Sequence, residues 1–154
     1  MSKLNEVKNR PFLIILISTA ISIGLILIHV IIIYNLWITA GWPISSSKYQ
    51  NGIFLVSFGI VLGMIIISMN IISWVSRRLS YKKTKTFVLI LNIFIILMSI
   101  CGIIMSTSYG YICLMNISDF PEYGTFFVWR AFCLWAAAIS LCVTIFGGIQ
   151  SIRN

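Results

Sequence analysis

The residues able to do chemistry in this chain of 154 are few and far apart. There is one histidine, His29, and the carboxylates are limited to Glu6, Asp119 and Glu122. A proton-transfer pair needs an acid and a base within hydrogen-bond reach, and His29 has no carboxylate near it in the sequence. The cysteines, Cys101, Cys113, Cys133 and Cys142, form neither a C-x-x-C pair nor a Cys/His group at metal-ligand spacing. The sequence therefore predicts no enzyme, no cofactor and no metal, and the cysteines within helices are expected to pack as small buried thiols.

Four long apolar runs hold these residues apart, at 12–38, 53–75, 86–105 and 125–149, and Arg130 is the only charged side chain within them. About 20 mostly apolar residues suffice for a helix to cross bilayer hydrocarbon. Hydrophobic residues make up 60% of the chain and charged ones 9%, with a mean hydropathy of +1.04, outside the range of soluble domains. The expectation is an all-α, four-pass integral membrane bundle forming a single domain over 1–154, in the plasma membrane or an endomembrane if the source is eukaryotic. The first run is too long for the apolar core of a signal peptide and lacks a small-residue cleavage site, so it reads as a retained helix.

Basic residues set the orientation. Lys3, Lys8 and Arg10 precede the first run, Arg77, Arg78, Lys82, Lys83 and Lys85 gather between the second and third, and Arg153 follows the fourth. Positive residues stay cytoplasmic, which places both termini and the middle loop in the cytosol. The formal charge of +8 then reads as a topology signal. The five basic residues of the middle loop suit the head groups of an anionic cytosolic leaflet, and nucleic acid is not an expected partner. Tyr34, Trp37, Trp42, Trp74, Tyr81, Tyr109, Tyr111, Tyr123 and Trp129 fall at run ends as interfacial anchors.

Polar and small residues inside the runs fall on helical faces. Gly59, Gly63 and Asn70 share a side of the second run, and Gly59-x-x-x-Gly63 is a pair that lets backbones approach closely. Asn92, Ser99, Gly102 and Ser106 make a similar stripe on the third. These positions are read as helix-packing sites, with Asn70 and Asn92 at matching depth for a hydrogen bond. His29 shares a face with Ser18 and Ser22 and is expected to be neutral and hydrogen-bonded within the bundle. An ionisable side chain at membrane depth marks a functional site by default, yet no span offers it a carboxylate. Arg130 is expected to snorkel outward toward Glu122 or Asp119. No single run carries a polar stripe through the whole membrane, as a pore would need. The spans also lack the carboxylates and broken-helix repeats expected of a carrier, so a secondary transporter is not a leading reading.

The connections add three readings. A short outer loop at 39–51 carries the Gly41-Trp42-Pro43 turn and Ser45-Ser46-Ser47. A longer one at 106–124 contains Asn116-Ile117-Ser118, an N-glycosylation acceptor pattern, and puts Cys113 near the outer surface. In the middle loop, Arg77-Arg78-Leu79-Ser80 matches the substrate pattern of basophilic kinases, and phosphate on Ser80 would offset much of the loop's attraction to anionic lipid.

The stretch from Asn92 through Ser99 and Gly102 to Ser106, after a basic loop, resembles the third helix of the membrane-spanning four-domain subfamily A, the tetraspans that include the B-cell antigen and the IgE-receptor beta chain. Asn51-Gly52, followed by Gly59 and Gly63, is similar to the family's Trp-Gly opening of the second helix, with Asn51 in place of the tryptophan. The resemblance covers about the middle half of the chain. It implies a non-enzymatic, oligomeric tetraspan that accompanies a receptor or modulates a channel, packing on other membrane proteins or on itself. The second outer loop has one cysteine where well-known members have a pair, and the tails are short, so a loop disulfide and tail motifs do not carry over. The alternative is a self-assembling small channel or a claudin-like cell-contact protein. Asn35-Leu36-Trp37 resembles the claudin loop motif, but the paired cysteines and long first loop of that family are missing.

Overall fold

In a computed structural model, the described residues are 2–41, 47–78 and 84–153, and they are almost wholly helical. Helix α1 is Ser2–Ala40, α2 is Ser47–Arg78, α3 is Thr84–Asp119 and α4 is Gly124–Arg153, with a three-residue 3-10 turn, Pro121–Tyr123, before α4. Within them Asn9–Leu36, Val56–Arg78, Lys85–Asp119 and Pro121–Arg153 are long and apolar enough to cross a membrane. Trp42, Pro43, Ser45, Ser46, Ser80, Tyr81, Lys82 and Lys83, each assigned a role above, lie outside the described residues.

All four helices outrun their apolar runs, and α3 does so most. The segment 106–119, expected as most of an outer loop, is a helical continuation of α3. Its serines, threonine and glycine suggest a loop, yet Tyr109, Cys113 and Leu114 recur at helical spacing and pack on Ala131 and Leu134 of α4. Tertiary burial outweighs local propensity here. Pro121 stops the helix, holding Phe120 in a non-helical conformation at φ −139°. At 36 residues α3 is about 54 Å long, well beyond the ~30 Å of bilayer hydrocarbon. Helix α1 ends on Gly41, whose φ of +61° is the left-handed stop that glycine adopts without a Cβ clash.

The helices form an antiparallel ring in which α1 packs on α2 and α4, and α3 packs on α2 and α4. Three apolar clusters stack along its axis. Nearest the chain termini, Ile15, Leu62, Ile66, Ile95 and Leu141 bring together residues of all four helices. Ile26, Val56 and Ala137 follow, and Cys113, Ala131 and Leu134 lie toward the opposite, far end. Half of the apolar stretch of α4 is buried, against about a third in the others, because α4 supplies Ala131, Ala137, Ala138, Gly147 and Gly148 to the contacts.

The polarity of the bundle is reversed. Serine, threonine, asparagine and histidine are buried, while Met64, Ile104, Phe132 and Ile139 lie 58–68% exposed on the outside. A contiguous apolar exterior of this kind has no favourable contact with water.

Candidate functional site

Buried serines and threonines of α1 and α4 form a polar seam between these two helices. Ser18 and Thr144 hydroxyls lie 2.7 Å apart, Thr19 reaches Thr144 at 3.4 Å, and the Ser140 hydroxyl donates to the Ser18 carbonyl at 2.6 Å. Farther along, the Ser22 hydroxyl donates to the Ala137 carbonyl at 3.4 Å. These contacts fix an antiparallel register. Seven residues beyond Ser22 and seven before Ala137 stand His29 and Arg130, at one level near the far end.

That level is the least satisfied part of the molecule. His29 is fully buried, and neither ring nitrogen has a hydrogen-bond partner; Arg130 Nε is likewise buried without one. The ring lies beside the Arg130 backbone without a hydrogen bond of full geometry. The Arg130 guanidinium sits 5.6 Å from the Phe127 ring centroid. Arg130 is half-buried, and on its helix it shares the buried face of Phe127, Leu134 and Ala137.

At the terminal end the seam closes on Arg77, whose guanidinium donates to the carbonyl and hydroxyl of Ser151 in the last turn of α4. A cation there complements the helix dipole as well as the open carbonyl. Arg78 instead lies 4.0 Å from the Trp74 ring, Trp74 stacks on Phe12 at 5.0 Å, and its indole N–H donates to Asn9 at 3.1 Å. Both arginines of the kinase-like pattern are thus engaged within the fold. Lys85 is exposed.

The glycines on the expected packing faces lie against neighbouring helices. A Cβ on Gly59 would come 2.8 Å from Ile26 of α1, one on Gly63 2.6 Å from Ile23, and one on Gly102 2.7 Å from Leu141 of α4. Asn70 and Asn92 do not meet. Asn70 donates to the Phe12 carbonyl at 3.0 Å, on α1, while Asn92 donates to Ser73 at 3.2 Å and to its own helix at Val88. Ser99 is fully buried and bonded to the Ile95 carbonyl. Asn116 stands in the last turn of α3, half-buried, and not in a loop. Cys113 is buried rather than near the surface, and Cys101 and Cys142, expected to pack inside, are exposed.

Sequence reasoning missed Ser73, Ser140, Thr144, Gly147 and Gly148. The signal was present: small and polar residues at Ala137, Ser140, Thr144, Gly147 and Ser151 recur every three or four positions, which places them on one helical face. A small cavity at the middle of the bundle, lined by Thr19, Ser22, Gly59, Gly63, Gly102 and Ser106 among others, interrupts the packing. Among the described residues no three of His, Cys, Asp or Glu gather at metal-binding distance.

No protein-family model, curated protein or solved structure matches this chain.

Proposed function

We propose that the chain is a four-pass membrane protein with both termini and the connection between α2 and α3 in the cytosol. It acts without catalysis, as an accessory or scaffold subunit that docks laterally on a receptor or channel, in the manner of the tetraspans its middle half resembles. The reversed polarity supports an apolar solvent, and the distribution of basic residues supports the orientation. A reporter at either terminus should be shielded from impermeant reagents in intact cells, and one beside Asn116 should be reached. Labelling of the terminal reporters before permeabilisation would reverse the orientation.

One observation carries the docking reading. The close-packing glycines of α2, α3 and α4 are occupied by neighbours inside the bundle, so they are not available to a partner. The outward face of α1 differs. Gly24 has nothing within 4 Å of where a Cβ would stand, and Ala20, one turn earlier, is exposed, between the protruding Ile17 and Ile28. A shallow indentation in an apolar helix face is where another helix approaches most closely. Filling it with Ala20→Leu and Gly24→Leu should lower recovery of co-purifying membrane proteins about fivefold, the equivalent of roughly 1 kcal/mol, and leave the unfolding of the bundle unchanged. If the same pair of changes abolishes only cross-linking between copies, the face serves self-assembly. Unchanged recovery and cross-linking would remove α1 as the docking surface.

A further inference from the structure

We propose that a single water molecule is held at the centre of the bundle, where it links the hydroxyl of Ser106 on α3 to those of Thr19 and Ser22 on α1. These helices stand diagonally across the ring, and all three residues line the same central cavity. Each is buried, Ser106 with 5% of its surface exposed. Ser106 has no partner of its own. Ser18, Ser68 and Ser99 return their hydroxyls to the carbonyl four residues earlier, whereas Ser106 makes no hydrogen bond with any described residue. A hydroxyl carries one donor and two lone pairs, and enclosing it without a partner is costly. The other two hydroxyls have capacity to spare. Thr19 to Thr144 and Ser22 to the Ala137 carbonyl are both 3.4 Å contacts, well beyond the roughly 2.7–2.8 Å typical of an O–H···O bond.

Volume decides what occupies the site. The centre of a water-sized sphere has about 20 Å³ to move in, and one water needs roughly 10–15 Å³ on that measure. A cavity that accepts a small aromatic molecule runs to about 150 Å³, so an organic ligand does not fit. A buried water also needs about two to four polar partners. Three hydroxyls surround this one, and the rest of the wall, with Leu62, Leu134 and Leu141, is apolar. The water extends the polar seam between α1 and α4 across the ring to α3. The site lies inside the bundle and is independent of what docks on its exterior.

The experiment uses the full chain in detergent micelles and water enriched in oxygen-17. Relaxation dispersion of that nucleus counts water molecules held for longer than the protein takes to tumble, and hydroxyl protons do not contribute to it. The amplitude should fall by the equivalent of one water per chain in Ser106→Val, which removes the hydroxyl and fills the cavity with a methyl group. It should be unchanged in Ser68→Ala, whose hydroxyl is exposed and bonded to Met64. Equal amplitudes in the parent and Ser106→Val overturn the site, as does an equal loss in Ser68→Ala. Should Ser106→Val fail to fold, Ser106→Ala, which adds no atom, takes its place in the same comparison. Loss of one water there supports the site, and no loss rejects it.

Discussion

Replacing Gly147 by leucine should keep the bundle from closing. A Cβ there would stand 2.8 Å from Ile15 Cγ1, 3.0 Å from Ile14 Cγ2 and 3.4 Å from Ile14 Cβ, so two side chains on α1 obstruct it near their backbone attachment. Ile15 is fully buried within the cluster that joins all four helices, and it cannot turn away without opening that cluster. Overpacking of a close-packed interior costs typically 1–3 kcal/mol, and four added carbons on the face between α1 and α4 place this change at about 3 kcal/mol or more. Gly59 offers the internal comparison. Its Cβ would meet only the terminal Cδ1 of Ile26 within 3.4 Å, an atom that a rotamer change removes, so Gly59→Ala should cost no more than about 1 kcal/mol. Gly63, facing Ile23 Cγ1 at 2.6 Å, should fall between them. Reversible unfolding in mixed micelles, followed by tryptophan fluorescence, measures the order. Gly147→Leu unfolding at the same denaturant fraction as the unchanged protein would show that α4 does not press on α1.

The contrast also shows which parts of this fold a sequence discloses. Helix number and order follow from hydropathy, since only an uninterrupted apolar run produces the exposed Ile and Phe surfaces of α1 to α4. The polar faces of Gly59 with Gly63 and of Asn92 with Ser99 follow from helical periodicity. Which face meets which neighbour does not follow. Depth from the connecting loop pairs Asn70 with Asn92, but Asn70 turns toward α1 and Ser73, three residues later, takes its place. A rotation of 100° per residue means that a three-residue difference at matched depth decides the partner, and depth alone does not encode it. The seam between α1 and α4 was hidden for a related reason. Each helix contributes half of it, and its register is a property of the assembled pair. At the far end of α3, Ser106, Thr107, Ser108 and Gly110 resemble a loop locally, while the decisive contact, Gly110 beneath the Trp135 indole, joins residues 25 positions apart in the chain.

Asn92 is where a change of one functional group should have the largest effect among the buried polar positions. The side chain is fully buried; Nδ2 donates to the Ser73 hydroxyl and to the Val88 carbonyl at 2.7 Å, and Oδ1 has no partner. Asn92→Asp keeps the shape and reverses the hydrogen-bond logic. The Val88 carbonyl, which now accepts, would face a carboxylate oxygen, and an unpaired buried charge typically costs 3–5 kcal/mol. Asn92→Leu removes both donors together with the unpartnered oxygen. Ser73 can return its hydroxyl to a carbonyl of its own helix, as Ser18, Ser68 and Ser99 do, and the Val88 carbonyl retains its helical bond. Loss of one interhelical hydrogen bond in a membrane is worth about 0.6 kcal/mol on average, and relief of the orphaned oxygen acts in the opposite direction. The leucine variant should therefore unfold within about 1 kcal/mol of the parent, and the aspartate variant should lose most of its folded population under the same conditions. A leucine variant as unstable as the aspartate one would mean that Asn92 holds α2 to α3 through more than the single bond to Ser73. Nearly equal stability of all three forms would place position 92 in contact with water.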